Sequence, residues 1–206
     1  MRVDDEFQAL LDDASLERLD DERSPIFGIF ADGRLALTNA AWDRFAAENG
    51  APELPREWPL GRNVYEAIPG ELEPFYREGW EWAGESGHPW SHSYECSSAD
   101  VYRRYRMTTY PMGGSEGLLV VNSLVVDAPR PEGRGPGTSP RDEYRQADGS
   151  TVQCSHCRRT MHVATGRWDL VPEWVQRWPD HARGTLCDVC AVYHYYEEAR
   201  RTPVAH

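Results

Sequence analysis

The sequence lacks lysine, long apolar runs and any recognisable targeting segment. All 22 basic residues are arginine, which we attribute to coding bias rather than to chemistry. No run approaches the roughly 18 apolar residues that a membrane-spanning helix needs. The first residues, MRVDDEFQAL, lack the basic and apolar regions of a signal peptide. These absences predict a protein of the reducing cytoplasm with no membrane contact.

The short motifs of the common enzyme classes are also missing. There is no GxGxxG or GxxxxGK[ST] phosphate cradle, no GxSxG nucleophile turn and no HExxH metal motif. The chain is also too short to hold a histidine kinase, cyclase or phosphodiesterase segment beside the elements described below. We therefore expect that the protein is not an enzyme.

The charge is strongly negative and unevenly distributed. The formal net charge is −12, with residues 1–23 and 24–126 acidic and residues 151–206 close to neutral. A phosphate backbone is bound by basic patches, so this distribution disfavours non-specific nucleic-acid binding. A DNA-binding regulator that reads through its C-terminal segment remains an alternative, although the predicted C-terminal helix offers two arginines against three acids.

Cysteines are few, and four of the five lie in two CxxC pairs. The pairs are Cys154 with Cys157 and Cys187 with Cys190. A two-residue spacer lets both sulfurs of a pair face one ion, and Zn²⁺ prefers four such ligands in a tetrahedron. The 29 residues between the pairs exceed the usual spacing, which predicts a small subdomain between them. We expect a structural zinc site.

Three alternatives to structural zinc fit the same cysteines. The pairs could form two disulfides, or a thioredoxin-like redox pair, although nothing in the sequence indicates an oxidising compartment. They could also act as a thiol switch, in which oxidation releases the zinc and unfolds the tail. Zinc release at low doses of peroxide would favour that switch.

The central region reads as an α+β domain. Two short apolar runs flank the Asp32-Gly33 turn and predict a hairpin. Asn39 is suited to cap a helix over 40–48. A short helix over 63–68 and a longer one over 71–85 follow. Three strands are then predicted over Trp90–Cys96, Val101–Tyr110 and Gly117–Val126.

The N-terminal segment, residues 1–23, is predicted to carry an amphipathic helix. Its apolar stripe lies at i, i+3, i+4 and i+7 over residues 4–14 and is formed by Phe7, Leu10, Leu11 and Ala14. The simpler interpretation is a helix that covers the next domain. The alternative is a contact between two copies in a homodimer.

This order of elements over residues 24–126 resembles a PAS domain, on the Asp32-Gly33 hairpin, the helix that opens at Asn39 and the closing three-strand meander. The resemblance implies a five-stranded antiparallel sheet with helices on one face. It also implies a sensor of a small molecule, redox state or light.

Residues 127–150 are rich in proline, glycine and arginine and predict a flexible linker. Residues 151–206 then resemble a small four-cysteine module that is appended to PAS and receiver domains in bacterial signalling proteins. The residues that carry this second resemblance are Cys154, Cys157, Arg158, Trp168, Val171, Gly184, Cys187 and Cys190. The chain departs from that pattern at Ala182-Arg183-Gly184, where Ser-His-Gly is usual, so no role is assigned to the missing histidine.

Candidate ligand-binding residues lie on the first strand of the meander. Alternation places His92, Tyr94 and Cys96 on one face, which could line a cavity. The short helix contains no flavin-reactive cysteine and the long helix no haem-binding histidine, so both cofactors are disfavoured. Cys96 could be a redox sensor if its thiol pKa were depressed, or simply a small buried residue.

The two resemblances together predict a bacterial signal-transduction protein. The PAS-like part would bind a small ligand or dock a partner, and the zinc module would contact a partner protein. With no catalytic segment attached, the signal would pass by association.

Overall fold

The computed structural model describes residues 1–11, 13–98, 100–129 and 141–196. The chain divides into two compact units. The first contains residues 1–68, 76–94 and 105–125, and the second contains residues 69–75, 95–104 and the described residues from 126 onward. Among the described residues, no helix combines the length and the apolarity needed to cross a membrane.

The larger sheet has six antiparallel strands in the order β1-β3-β2-β6-β5-β4. The strands are β1 (Arg2–Val3), β2 (Ile26–Phe30), β3 (Leu35–Thr38), β4 (Trp90–Glu95), β5 (Val101–Met112) and β6 (Gly117–Pro129). The five strands predicted from the sequence are confirmed within a few residues, and so is the Asp32-Gly33 hairpin. The predicted number of five is corrected to six, because Arg2 and Val3 pair with Thr38 and Leu37 at the edge of β3.

Several α-helices accompany this sheet in the described part of the chain. They are α1 (Asp5–Gln8), α2 (Asp13–Asp21), α3 (Ala40–Glu48), α4 (Leu54–Glu57) and α5 (Glu73–Ser86), and a 3₁₀ turn spans Val64–Ala67. The predicted cap of α3 is confirmed, since the Asn39 side chain accepts a hydrogen bond from the Trp42 amide. The same side chain is fully buried and also accepts from the Ile26 amide, so one residue holds both the start of α3 and the start of β2.

The N-terminal segment differs from its prediction. A single helix over residues 4–14 was expected, whereas the structure has a strand followed by two helices. The physical reason is Phe7, which is fully buried and packs edge-on against Phe30 at 5.6 Å. Phe7 shares a core with Leu16, Leu37 and Leu119, so the break lets the chain bury apolar residues from both α1 and α2. Packing of Phe7 against the sheet agrees with the covering interpretation, and the contact between two copies stays a prediction.

The second unit contains a four-stranded sheet in the order β10-β7-β8-β9. Its strands are β7 (Thr151–Cys154), β8 (Thr160–Met161), β9 (Trp168–Asp169) and β10 (Ala182–Thr185), and its helices are α6 (Pro172–Gln176) and α7 (Asp188–Ala191), with a π-helical turn over Val192–Tyr196. The predicted subdomain between the cysteine pairs is thus present. Residues 197–201 of the predicted C-terminal helix lie outside the described residues.

The predicted linker is only partly within the described structure. Residues 127–129 continue β6, and residues 130–140 lie outside the described residues. A 3₁₀ turn then spans Arg141–Tyr144, and Tyr144 is buried in a cluster with Val171 and Trp174. A segment without apolar periodicity can still contribute one aromatic anchor, which the sequence pattern could not reveal. The domain boundaries themselves stay a prediction.

Candidate metal centre

The two cysteine pairs follow two parallel neighbouring strands, β7 and β10. The register runs from Ala182 opposite Thr151 to Thr185 opposite Cys154. Because parallel strands end on the same side of a sheet, the chain leaves β7 and β10 side by side. A parallel connection needs a crossover of about a dozen residues or more. The long separation of the two CxxC pairs is therefore a consequence of this topology.

The first pair lies in a tight turn. The Cys154 amide donates to the Arg159 carbonyl at 2.7 Å, and the Arg158 amide donates to the Cys154 carbonyl at 3.1 Å. Arg158 has a φ of 66°, in the left-handed region that few residues other than glycine adopt. The turn is anchored to β10, since the Ser155 amide donates to the Thr185 carbonyl at 2.7 Å. These bonds reverse the chain so that Cys154 and Cys157 approach each other.

The second pair lies at the start of α7. Cys187 is the N-cap residue, and its sulfur accepts a hydrogen bond from the Cys190 amide at 3.5 Å. Residues three apart on a helix face the same side. The helix start therefore presents Cys187 and Cys190 together.

The four sulfurs form one buried cluster. They all lie within 4.8 Å of one another, and each of the four cysteines is at most 5% exposed. The sulfurs of Cys157 and Cys187 are 3.6 Å apart. With Zn–S bonds of about 2.3 Å, a tetrahedral site requires sulfurs about 3.8 Å apart. All five cysteines of the chain are free thiols, so the cluster has the composition and spacing of a four-thiolate metal site.

The sulfurs of Cys154, Cys187 and Cys190 each have a nitrogen partner beside them. Two donors are backbone amides, from Cys187 to Cys154 at 3.4 Å and from Cys190 to Cys187 at 3.5 Å. His156 Nδ1 lies 3.4 Å from the Cys190 sulfur and donates to it when that sulfur is a thiolate. Such partners stabilise metal-bound thiolates.

The thiols strongly affect one another's ionisation. Hydrogen bonding from Cys157 and the other thiols lowers the pKa of Cys154, whereas hydrogen bonding with Cys154 and the others raises the pKa of Cys190. The pKa of Cys157 is also raised, by its bonds with Cys154 and Cys187. For Cys187, hydrogen bonding with Cys154 acts to raise the pKa, but bonding with Cys157 and Cys190 outweighs it and lowers the pKa to about 7. Thiolates are thus favoured at Cys154 and Cys187 and opposed at Cys157 and Cys190. A bound divalent cation would favour the ionised form of all four thiols, because it attracts each thiolate.

Two histidines and an aromatic ring pack beside the cluster. The rings of His156 and His194 are 4.5 Å apart, edge to face, and His194 lies 5.0 Å from Phe75. His194 is fully buried, and burial lowers its pKa to about 3. It is therefore neutral at physiological pH and adds no positive charge to the site.

The predicted ligand-binding residues fall in different units. His92 and Tyr94 belong to the first unit, where His92 is 2% exposed and stacks on Trp90. The Tyr94 hydroxyl donates to Asn122 Oδ1 at 2.8 Å. Cys96 belongs to the second unit and lies one residue beyond β4. Burial raises the pKa of Cys96, which is the opposite of the change that a reactive redox sensor requires.

Sequence reasoning missed the ion pair between Arg159 and Glu95. Arg159 follows the first cysteine pair, so its position was a usable signal. Its carboxylate partner Glu95 is 64 positions away along the chain, and no spacing rule connects the two. His156 lies inside the first cysteine pair, and the structure makes it a hydrogen-bond partner of Cys190 from the second pair.

No family model matches the chain, and no curated protein matches it. Solved PAS structures do resemble part of it. The PAS domain of Bordetella pertussis BvgS is 19% identical with a TM-score of 0.42, over 55% of this chain and 88% of that one. A domain of a sensory box sensor histidine kinase/response regulator from Geobacter sulfurreducens is 13% identical with a TM-score of 0.40, over 57% and 95%.

The PAS domain of an HTR-like protein from Haloarcula marismortui is 19% identical with a TM-score of 0.34, over 54% of this chain and 90% of that one. A likeness of this degree identifies neither a ligand nor a partner. The chain thus has PAS-domain structural neighbours over about 55% of its length, together with a buried four-cysteine cluster in its C-terminal region.

Proposed function

We propose that Cys154, Cys157, Cys187 and Cys190 bind one structural Zn²⁺. The observation that carries this proposal is the set of four buried sulfurs within 4.8 Å of one another. Four protein thiolates fill the tetrahedron and leave no position for an activated water, which is the arrangement of structural rather than catalytic zinc. When bound, the ion supplies folding free energy to the unit that holds it.

We further propose that the protein acts in cytoplasmic signal transduction without catalysis of its own. The order of strands and helices in the central region supports a PAS-like role, in which the first unit binds a small ligand or docks a partner. His92 and Tyr94 are the candidate contacts. Free cysteines are typical of a reducing compartment. The second unit would provide a contact surface for a partner protein.

Metal analysis of the full chain, purified without chelator, tests the zinc proposal. We expect one zinc per chain and no visible absorbance. Cys157→Ser should lose the metal, and the matched control Cys96→Ser should retain it, because Cys96 lies outside the cluster. A chain without metal would overturn the proposal. A coloured chain that contains iron would show that the ion is iron rather than zinc.

Native mass spectrometry of the same preparation tests the ligand-binding role. A small molecule retained by the wild-type chain and lost from His92→Ala is the expected result. A mass equal to that of the zinc-loaded chain alone would contradict ligand binding and leave partner docking as the role of the first unit. A haem or flavin absorption band would contradict the expectation that the first unit binds neither of these cofactors.

A further inference from the structure

Three buried side chains of the first unit carry polar atoms that have no hydrogen-bond partner in the described part of the chain. The atoms are Thr38 Oγ1, Thr109 Oγ1 and Trp80 Nε1. Thr38 and Thr109 are fully buried, and Trp80 is 2% exposed. Buried polar groups are nearly always hydrogen-bonded, because an unmade bond costs free energy. All three atoms are therefore available to a bound molecule.

Thr38 lies on the face of the larger sheet that α5 covers. It stands directly opposite Phe27 in the β2–β3 pair, and directly opposite residues share one face of a sheet. The Phe27 ring packs edge-on at 6.3 Å against the ring of Trp80, in the part of α5 that belongs to the first unit. Thr38 and Trp80 therefore border the same layer, between the sheet and α5.

Thr109 faces the same layer from β5. Alternation along the strand places its side chain on the same face as Tyr105, whose ring stacks on Tyr94 of β4 at 5.8 Å. His92 lies two residues before Tyr94 and so shares that face, and its ring packs edge-on against Tyr76 of α5 at 6.3 Å. The three polar atoms without partners therefore all belong to the layer between α5 and the sheet.

This layer is aromatic and contains little charge. Around Trp80, the rings of Tyr65 and Tyr76 lie 5.5 and 5.7 Å away. Within the described first unit, no aspartate, glutamate or arginine is buried. A charged molecule would therefore lose its hydration without an acidic or guanidinium partner, which is costly. The indole N–H of Trp80 can only donate, so a molecule that satisfies it must offer an acceptor.

We propose that the layer between α5 and the sheet binds a small, uncharged aromatic molecule whose hydrogen-bond acceptor receives the Trp80 indole N–H. This inference rests on the proposed ligand-binding role of the first unit, and it names the class of ligand. Thr38 and Thr109 supply hydroxyls from the sheet, and the surrounding rings supply aromatic contacts. Because all three side chains are buried, entry of the molecule requires a local opening of the layer.

Native mass spectrometry of the full chain as purified is the first measurement. A molecule retained by the wild type should be aromatic, uncharged at neutral pH and equipped with an oxygen or nitrogen acceptor. Where the chain retains no molecule, three probes of matched size decide. Benzamide is uncharged and has a carbonyl acceptor, benzoate carries a charge on the same ring, and toluene has no acceptor. Titrations followed by saturation-transfer NMR should show the tightest binding for benzamide.

Trp80→Phe should weaken binding of the retained molecule or of benzamide about tenfold, which corresponds to the loss of one buried hydrogen bond. Its affinity for toluene should stay unchanged. Thr109→Val keeps the side-chain shape and should weaken binding by a smaller factor. Its midpoint of thermal unfolding should not fall, because no hydrogen bond within the described chain is lost. The matched control Thr108→Val alters the opposite face of the same strand and should bind as the wild type does.

The remaining outcomes separate this inference from the role on which it rests. A retained charged molecule, or benzoate or toluene bound at least as tightly as benzamide, would leave ligand binding in place and overturn the ligand class. Unchanged binding by Trp80→Phe would overturn the donor. Should that variant fail to fold, Thr109→Val carries the test, and a lower unfolding midpoint with unchanged binding overturns the proposal. No retained molecule and no bound probe would overturn the ligand-binding role itself.

Discussion

The two units bury different kinds of groups. The first unit has a continuous apolar core in which Phe7, Leu16, Ile26, Ala36, Leu37 and Leu119 are all buried. The second unit has a cluster of four cysteines and a separate small cluster of Tyr144, Val171 and Trp174. The core of the first unit is thus apolar, whereas the second unit buries thiol groups, which carry charge when they are ionised.

This difference follows from how much surface each fold can bury. A core of aliphatic and aromatic residues between sheet and helices stabilises the first unit through the hydrophobic effect. The small second sheet, with strands of two to four residues, covers much less. Small folds usually need a metal or cross-links for that reason. We therefore expect metal removal to destabilise the second unit, and loss of buried apolar volume to destabilise the first.

The largest expected difference is the response to chelation. Removal of zinc should unfold the cysteine-containing part of the second unit, because structural zinc contributes about 10–16 kcal/mol of apparent binding free energy. The first unit should keep its structure. Hydrogen exchange resolved by peptide measures this: amides of β7 and β10 should lose protection while amides of β2 and β3 retain it. Loss of protection in β2 and β3 as well would contradict the comparison.

Loss of apolar volume should act on the first unit. Leu37→Ala removes a fully buried side chain and should lower the free energy of unfolding by about 2–5 kcal/mol. Leu124→Ala is the matched control, since Leu124 is in a strand of the same unit but is 49% exposed. Denaturant unfolding measures both variants. Zinc content should be unchanged in both variants. If the two substitutions lower the free energy of unfolding equally, burial of Leu37 in this core does not account for the stability of the first unit.

Close packing in the second unit is expected to matter less than its metal. A Cβ at Gly184 would lie 2.5 Å from Ser155 Oγ, next to the first cysteine pair. Gly184→Ala should therefore lower the free energy of unfolding of this unit by about 1–3 kcal/mol. Gly70→Ala, in the same unit with no atom near the added Cβ, should have little effect.

A second substitution makes the steric explanation testable. Ser155→Ala removes the clashing oxygen and should restore part of the stability lost in Gly184→Ala. Thermal unfolding of the zinc-loaded chains measures the recovery. No recovery would mean that Gly184 is required for another reason.

The smallest expected effect is a pH dependence in the first hairpin. The Arg34 side chain bonds to Asp32 Oδ2 at 2.7 Å and holds the pKa of this carboxyl below its ordinary value of 3.8. The stabilisation is thus complete above 3.8 and is lost as the pH falls through the lower pKa of the folded state. Both side chains are about half exposed, so the effect is small.

Asp32→Asn isolates this contribution. The variant should be slightly less stable than the wild type at neutral pH, and the difference should shrink in acid. Unfolding free energies measured across that range test the sign. A difference that grows in acid would contradict the assignment.

Much of this architecture could be predicted from local sequence. The Asp32-Gly33 turn and the Asn39 cap depend on residues close together in the chain, and both predictions are confirmed. The two CxxC pairs likewise predicted a four-cysteine cluster, because a two-residue spacer already constrains both sulfurs. The prediction of a single N-terminal helix was wrong, because the burial of Phe7 depends on partners in the sheet that are distant in the chain.

The sequence by itself determined the strands of the meander, the helix caps and the identity of the four clustered cysteines, since each of these depends on spacings of a few residues. Only the tertiary structure decided that β7 and β10 run parallel, and that Arg159 pairs with Glu95. Those features join residues about 30 to 64 positions apart. No local rule fixes such pairings, because they are selected by which surfaces the folded chain can bury together.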